Sequence, residues 1–370
     1  MHLENINRIL VIKLRAIGDV LLSTPVVQNL HDRFPLAKID FVTDKFAADV
    51  VTGNPWLSSV LTFDRKHDSS VGMIRQVREK KYDLIVDLFS NPRSAIITGL
   101  SGARLRAGFP FRWRKYAYNI IIPPRAGDIH NIDFNLDALR RLDIPVSHFQ
   151  PYFPLDSRSV QFADDWLHGH NLDGKTVVGL NPSGGWYTKR WGLEHYALLG
   201  DLISERYGAS IIVLWGPGEE DDARHIQEHM KLPASVIPQT TLSQLGAIIH
   251  RCAFIVSNDS GPMHIAASLN IPTLGIFGPT NPRQQGPYGS GNHWVRNEEL
   301  DCLECSLTSF PIGNICMTQL RVERVMDALH LLQLNRRICS QRPIIRKKYE
   351  EKNSAKKATD QNKDSGLQTV

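Results

Sequence analysis

The residues best suited to bind a phosphate lie in the turn SNDSGPMH at residues 257–264, which follows an apolar stretch and opens a helical pattern. The first backbone N–H groups of a helix have no partner within it, and the helix dipole adds a partial positive charge there. This combination predicts a phosphate site. Gly261 lets the backbone approach an anion closely, His264 can add a donor, and Asp259 can accept from sugar hydroxyls. The alternative is that Asp259 or Ser260 only caps the helix and that His264 is a surface residue.

A second turn, NPSGGWYTKRW at residues 181–191, follows a predicted strand and contains two adjacent glycines before a Lys-Arg pair. Small residues suit a loop that closes over a diphosphate. Lys189 is then the candidate for neutralising the charge that builds on a leaving phosphate. The alternative is an exposed basic loop, which Trp186 and Trp191 beside the basic pair argue against.

Two further strand-to-helix turns supply carboxylates. In LWGPGEEDD at residues 214–222, the helix dipole favours acids in the first turn whatever the function, although one carboxylate could also hold a ribose diol. In IKLRAIGDV at residues 12–20, Asp19 ends the first strand-to-helix loop and faces the predicted cleft. Asp19 could take a proton from an attacking hydroxyl, or it could be a helix N-cap.

A basic, aromatic-rich stretch lies in the first half of the chain. It contains Arg104, Arg106, Arg112, Arg114 and Lys115, interleaved with Phe109, Phe111 and Trp113. It could grip a phosphorylated or carboxylated acceptor. The alternative is a solvated loop with hydrophobic anchors.

Apolar stretches rich in β-branched residues alternate with longer helical patterns, which predicts α/β structure with parallel sheets. The predicted strands are residues 9–14, 38–42, 59–63, 83–89, 119–122, 176–180, 210–215, 235–237, 254–257 and 273–277. The predicted helices are residues 19–34, 72–80, 94–101, 133–142, 193–207, 219–230, 242–250 and 263–269. Three prolines within residues 144–154 predict a linker. We therefore expect two Rossmann-like domains, residues 1–148 and 149–335, and a disordered basic tail at residues 336–370.

Composition favours an ordinary soluble enzyme. The chain of 370 residues has a net charge of +5, and its last thirty residues hold eight Lys or Arg against four acids. The rest is nearly neutral, so composition gives no support for a nucleic-acid partner. No window reaches the roughly 18 to 20 apolar residues that span a bilayer, and no secretory signal is predicted. Five cysteines argue against a disulfide framework. These features predict a cytoplasmic protein.

The turns, taken in order, resemble those of the lipopolysaccharide heptosyltransferases, the ADP-heptose-dependent inverting enzymes of glycosyltransferase family 9. Four features carry the resemblance over about residues 8–335: Gly18-Asp19 with Thr24-Pro25, the loop NPSG at 181–184 with Lys189 and Trp191, NDSGPMH at 258–264, and TLGIFGPT at 273–280. Cys302 and Cys305 with Cys316 are similar to a cysteine cluster of many members. Three thiols are one ligand short of a closed zinc site, although His293 could supply the fourth, and we favour structural or incidental thiols.

The resemblance implies a GT-B architecture, two Rossmann-like domains whose parallel sheets face a central cleft. It implies ADP-heptose bound mainly by the C-terminal half and an anionic, lipid-linked lipopolysaccharide inner-core acceptor bound mainly by the N-terminal half. By the same resemblance, Asp19 is the general base, Lys189 contacts phosphate, Ser260 and Gly261 give backbone donors to the diphosphate, Asp259 contacts the heptose, His264 lies near the phosphates, Glu220 (or Glu219) holds the ribose, and Thr240 contacts adenine. Arg104, Arg106, Arg112 and Arg114 are the acceptor-binding candidates.

The chain has no Asp-X-Asp motif that would hold a metal on the diphosphate, so we expect transfer without metal or cofactor. The basic tail could attract an anionic membrane where the acceptor lies, which would place the enzyme on the cytoplasmic face of the inner membrane. Two alternatives remain open. One is another nucleotide-sugar transferase or a sugar-nucleotide epimerase on the same fold. The other is a binder of nucleotide or membrane without activity, which would have no use for Asp19 and Lys189.

Overall fold

The computed structural model describes residues 3–64, 67–309 and 313–341 of the protein. Twelve strands in these ranges form two parallel sheets of six strands, one in each half of the chain. The predicted α/β class with paired parallel sheets is confirmed. None of the helices within the described ranges is long and apolar enough to cross a membrane.

The N-terminal sheet has the strand order β3-β2-β1-β4-β5-β6. Its strands are β1 (Arg8–Ile12), β2 (Lys38–Asp44), β3 (Ser59–Phe63), β4 (Leu84–Asp87), β5 (Leu105–Gly108) and β6 (Ile120–Ile121). The helices of this half are α1 (Ile17–Leu21), α2 (Thr24–Arg33), α3 (Ser70–Glu79), α4 (Pro92–Leu100) and α5 (Asn131–Arg141). Residues 9–12 of β1 are fully buried, as expected for a central parallel strand covered on both faces.

The C-terminal sheet has the strand order β12-β11-β10-β7-β8-β9. Its strands are β7 (Val177–Asn181), β8 (Ser210–Val213), β9 (Ala234–Val236), β10 (Phe254–Asn258), β11 (Thr273–Ile276) and β12 (His293–Val295). The helices of this half are α6 (Ser157–Gly169), α7 (Leu193–Tyr207), α8 (Glu220–His229), α9 (Leu242–His250), α10 (Gly261–Ser268), α11 (Pro282–Gln285), α12 (Ile315–Thr318) and α13 (Val322–Gln341). No helix or strand occurs between α5 and α6, where the linker was predicted.

The predicted helix over residues 19–34 is wrong in one respect, because the structure has two helices there. Pro25 has no N–H to give to the preceding turn, so it is tolerated only in the first turn of a helix, and it lies in the first turn of α2. The hydroxyls of Ser23 and Thr24 donate to the carbonyls of Val20 and Leu21 at 2.7 Å each. These bonds satisfy the end of α1 and allow the chain to turn.

Six elements were not predicted. They are β5 and β12 among the strands and α6, α11, α12 and α13 among the helices. Helix α13 continues to Gln341, so residues 336–341, predicted to be disordered, are helical; the remainder of the predicted tail lies outside the described residues.

Candidate active site

The first turns of two helices, α1 and α10, meet across the two halves of the chain. A Cβ atom placed on Gly18 would lie 2.5 Å from Cδ2 of His264, and one on Gly261 would lie 2.8 Å from Cγ2 of Ile17. Neither distance leaves room for a side chain. Both turns follow the carboxyl ends of central strands, β1 and β10, which is where open parallel sheets bind ligands.

On the N-terminal side of this contact, Asp19 lies in the first turn of α1 and is partly exposed. Its Oδ2 accepts from the backbone N–H of Ala16 at 3.1 Å. The N-cap residue is Ala16 and not Asp19. Asp19 contributes to the helix start only through the one carboxylate oxygen that accepts from Ala16. The carboxylate still has lone pairs to offer a proton donor.

Lys13, which directly follows β1, is a buried cation on the same side. Its Nζ donates to the carbonyl of Leu88 at 3.2 Å and to Oδ1 of Asn135 at 3.3 Å. Burial lowers the pKa of the Lys13 ammonium, and the nearby carboxylates of Asp19 and Asp87 oppose that shift. Lys13 was missed as a functional candidate, although a cation ending a fully apolar strand was a signal for it.

On the C-terminal side, the strongest interaction is an ion pair between Lys189 and Asp259. Lys189 Nζ lies 2.7 Å from Asp259 Oδ2, and the side chains are only 16% and 5% exposed. The hydroxyl of Thr280 donates to the same Oδ2 at 2.7 Å. The ammonium also lies 4.5 Å from the ring centroid of Trp186, a cation–π contact. The loop at residues 181–191 and the turn at 257–264 are therefore in direct contact, because they follow the neighbouring strands β7 and β10.

No side-chain capping bond from the N-cap residue occupies the backbone N–H groups in the first turn of α10. Ser260 is the N-cap residue, but its hydroxyl makes no capping bond and instead accepts from Asn181 Nδ2 at 2.8 Å. The carboxylate of Asp259 is used by Lys189. The alternative that Asp259 or Ser260 merely caps the helix is therefore wrong. The N–H groups at the helix start are available to an anion.

Four buried side-chain atoms around this turn make no hydrogen bond within the part of the chain that the structure describes. They are Asn181 Oδ1, Ser183 Oγ, Thr188 Oγ1 and His264 Nδ1. Leaving a buried polar atom unpaired costs about 1 to 3 kcal/mol. Their concentration here fits a site that hydrogen-bonds a polar ligand. Asn181, Ser183 and Thr188 lie in the loop predicted for the donor, but none was singled out from the sequence.

His264 connects the two sides. It is buried, not a surface residue as the alternative proposed, and burial lowers the pKa of its imidazole to about 4. Asp259 and Asp19 raise that pKa, whereas His130 and Lys189 lower it, so groups from both halves of the chain affect this ring. At neutral pH the ring is uncharged and has one donor and one acceptor nitrogen.

His130 links the halves a short distance away. Its Nδ1 accepts from the backbone N–H of Ile132 at 3.2 Å, which leaves Nε2 protonated to donate to the carbonyl of Gly286 at 3.0 Å. Burial lowers the pKa of this imidazole, which favours the neutral tautomer that both bonds require. Next to it, Asn281 Nδ2 donates to Asp128 at 2.7 Å. No local sequence pattern indicates this contact between the two halves.

The comparisons with known proteins identify the family. The family model for glycosyltransferase family 9 (heptosyltransferase) matches residues 71–311, more than half of the chain. The chain belongs to glycosyltransferase family 9. It is thus a glycosyltransferase, and the resemblance drawn from its turns is confirmed.

Two of the most similar solved structures support the architecture of this family 9 enzyme. A family 9 glycosyltransferase from Veillonella parvula has a TM-score of 0.78 at 24% identity, over 90% of this chain and 99% of that one. An ADP-heptose lipopolysaccharide heptosyltransferase II from Escherichia coli has a TM-score of 0.71 at 21% identity, over 89% and 99%. These likenesses, together with the paired sheets, confirm the GT-B fold. Among sequence relatives, lipopolysaccharide heptosyltransferase 3 of Escherichia coli is 26% identical over 284 residues, covering 71% of this chain and 81% of that protein.

Glu219 and Glu220, the two ribose-binding candidates at the start of α8, have different partners. Glu219 accepts from the backbone N–H of Gly216 at 3.2 Å and pairs with Arg190 at 2.6 Å. Glu220 pairs with Arg224 on the surface, and the side chains are 44% and 57% exposed. An exposed pair of this kind contributes little, so Glu220 can exchange partners more readily. Thr240 is partly exposed and lies between β9 and α9, after the carboxyl end of β9.

The basic stretch is divided by β5, and two of its members donate to backbone carbonyls. Arg104 precedes β5 and donates to the carbonyl of Glu4, which precedes β1, so it lies at the amino edge of the sheet, opposite Asp19. Arg106 is within β5 and donates to the carbonyls of Ala103 and Ala117, at 2.6 and 3.0 Å. Both guanidinium groups therefore already have backbone partners within the N-terminal half.

Arg112 and Arg114 lie beyond the carboxyl end of β5, on the edge that carries Asp19. Arg112 is exposed. Arg114 lies 5.1 Å from the ring centroid of Phe111 and donates to its carbonyl at 2.9 Å. These two arginines remain available as binding candidates.

The three clustered cysteines are thiols in the structure, and Cys316 is buried. Burial raises the pKa of Cys316 to about 11, with smaller contributions from Cys305 and Cys302. Within the described ranges, no group of three or more His, Cys, Asp or Glu side chains is arranged to hold a metal ion. His293 lies in β12.

Proposed function

We propose that this family 9 glycosyltransferase transfers L-glycero-D-manno-heptose from ADP-heptose to the inner core of lipopolysaccharide, with inversion at the anomeric carbon. The observation that carries the proposal is that the helix start holding Asp19 packs against His264 of the other half, next to the turn that holds the Lys189–Asp259 ion pair. The printed names of the relatives, lipopolysaccharide heptosyltransferases, support the choice of sugar and acceptor.

The proposed chemistry needs one base behind the anomeric carbon. Asp19 takes the proton of the acceptor hydroxyl as the new C–O bond forms, because it is a partly exposed carboxylate that follows the central strand β1 and lies next to the contact with His264. A single displacement needs no second carboxylate as nucleophile, in contrast to a retaining glycosidase.

The leaving group is ADP, and its charge needs stabilisation in front of the sugar. The N–H groups at Ser260 and Gly261 meet the diphosphate at the start of α10, while Lys189 adds a full positive charge. His264 donates from its neutral ring near the phosphates, and Asp259 accepts from heptose hydroxyls through the oxygen that Lys189 does not use. We propose that these groups replace a metal ion in neutralising the diphosphate.

The nucleoside is proposed to extend from the diphosphate toward β8 and β9. Glu220 binds the ribose diol, with Glu219 as the alternative, and Thr240 contacts adenine. For the acceptor, Arg112 and Arg114 are the remaining candidates to meet anionic groups of the inner core. Because that acceptor is lipid-linked, the reaction is placed at the cytoplasmic face of the inner membrane.

The test is to incubate the protein with ADP-heptose and a panel of truncated lipopolysaccharide cores. We expect one acceptor to gain the mass of one heptose, with the anomeric configuration inverted, and the yield to be unchanged by EDTA. Loss of activity in EDTA that Mg²⁺ or Mn²⁺ restores contradicts metal independence. Conversion of the sugar nucleotide with no acceptor present supports an epimerase instead.

A further inference from the structure

A surface of the N-terminal domain combines exposed apolar side chains with cations. It is formed by α4 and the turn at Arg112–Ala117, which packs against that helix. We refer to it as the aromatic–basic surface, and its members are Ile96, Leu100, Phe111, Arg112, Trp113, Arg114, Lys115 and Tyr116. Trp113 is 53% exposed and Tyr116 80%, and five of the fourteen exposed large apolar side chains in the described ranges lie here. Such concentration marks an interaction surface.

The segment of the chain that contains this surface, residues 88–127, carries only positive side-chain charges. Residues 88–127 contain no Asp or Glu, whereas seven cations occur there: Arg93, Arg104, Arg106, Arg112, Arg114, Lys115 and Arg125. The chain apart from its last thirty residues is nearly neutral, so this forty-residue segment is locally strongly positive. Of these seven cations, Arg112, Arg114 and Lys115 lie on the surface itself, and their charge favours an anionic partner.

The turn is held at both ends by buried anchors, so the exposure of its aromatic side chains is built into the fold. At its start, Phe109 is buried and its ring stacks on that of Phe134 with centroids 4.2 Å apart. At its end, the hydroxyl of buried Tyr118 donates to Asp87 at 2.7 Å. Exposed aromatic groups on such a fixed support lose little further entropy when a partner covers them.

We propose that the aromatic–basic surface binds the interface of an anionic phospholipid membrane. Trp and Tyr partition to the headgroup level of bilayers, where an apolar ring and a polar tip are both accommodated. Arg112, Arg114 and Lys115 pair with lipid phosphates, while Ile96 and Leu100 meet the acyl boundary. The turn begins beyond the carboxyl end of β5, on the sheet edge that carries Asp19, so binding brings the catalytic cleft to the membrane.

The test measures partition of the full-length protein onto vesicles of phosphatidylcholine, with and without phosphatidylglycerol, by co-sedimentation. Arg112→Gln/Arg114→Gln/Lys115→Gln is expected to lower partition onto anionic vesicles by about fivefold per cation, or about a hundredfold. Trp113→Ser/Tyr116→Ser is expected to lower it by about tenfold. The matched control, Arg158→Gln/Lys175→Gln/Lys231→Gln, removes the same charge from exposed positions of the C-terminal domain and should change partition less than twofold.

A second readout uses brominated lipids, which quench tryptophan fluorescence on contact. Trp113→Phe should remove most of the quenching that vesicles cause and leave partition nearly unchanged. A truncation after residue 341 separates the contribution of the basic tail. The proposal is overturned if the wild type does not bind anionic vesicles, if the control triple variant loses as much binding, or if the truncation alone abolishes it. The assay contains neither donor nor acceptor, so its outcome does not depend on whether the proposed transfer reaction is correct.

Discussion

Replacing Lys189 by Met tests the ion pair at the centre of the donor side. The change leaves the Asp259 carboxylate buried, with the hydroxyl of Thr280 as its hydrogen-bond donor. Breaking a fully buried ion pair costs about 3 to 5 kcal/mol, mostly because an uncompensated charge remains. Lys189 is 16% exposed and Thr280 stays in place, so we expect the lower end, about 3 kcal/mol of unfolding free energy.

Adding Asp259→Asn to Lys189→Met removes the stranded charge. Thr280 can still donate to the amide oxygen, so the double variant should regain about 2 kcal/mol relative to Lys189→Met. The affinity for ADP should remain low in both, because the diphosphate still lacks the ammonium. The double variant is therefore expected to recover stability without recovering affinity for ADP.

The measurements are urea denaturation and calorimetric titration with ADP. Lys175→Met, which removes an exposed lysine of the same domain, is the matched control and should leave both quantities unchanged. A Lys189→Met protein within about 0.5 kcal/mol of the wild type would refute the burial reasoning. Recovery of ADP affinity in the double variant would refute the phosphate role of Lys189.

Two other predictions concern titration and the start of α8. Because burial lowers the folded pKa of His264 from 6.5 to about 4, its contribution to stability is present above pH 6.5 and is lost as the pH falls toward 4, by about 3 kcal/mol. His264→Gln should flatten the stability profile by that amount between pH 6.5 and 4, and an unchanged slope would contradict the assignment. Glu220→Gln should weaken ADP binding about tenfold without loss of stability, whereas Glu219→Gln should cost about 1 kcal/mol, because Arg190 and the Gly216 N–H lose a charged partner. The reverse pattern would transfer the ribose role to Glu219.

The fold could be predicted where local sequence and tertiary environment agree. Central parallel strands are buried on both faces and read as apolar runs, as residues 9–12 do. Strand β5 was missed because its sequence, Leu-Arg-Ala-Gly, contains a cation whose charge is accommodated by two backbone carbonyls that the sequence does not reveal. The break between α1 and α2 was missed although Pro25 signalled it, because the helical pattern on both sides was given more weight.

Each strand-to-helix turn of the site could be predicted from the sequence, but the contacts between the turns could not. Helix-start chemistry indicated the turn at residues 257–264, and the basic pair indicated Lys189. The burial of His264 against Gly18 depends on a contact between two domains, for which no local pattern exists. The same applies to His130 and Gly286. Arg104 and Arg106 were grouped with Arg112 and Arg114 by sequence proximity, but a strand of four residues separates them and places the two pairs differently relative to the site.

The most direct test of the proposed reaction is a single-turnover measurement of heptose transfer by Asp19→Asn, with the ADP dissociation constant measured alongside. The substitution keeps the size of the side chain and an oxygen that can accept from the Ala16 N–H. We expect the transfer rate to fall by about 10² to 10⁴, the usual contribution of a general base, while the ADP dissociation constant changes less than about twofold. A near-normal transfer rate with intact ADP binding would return Asp19 to a purely structural role at the start of α1.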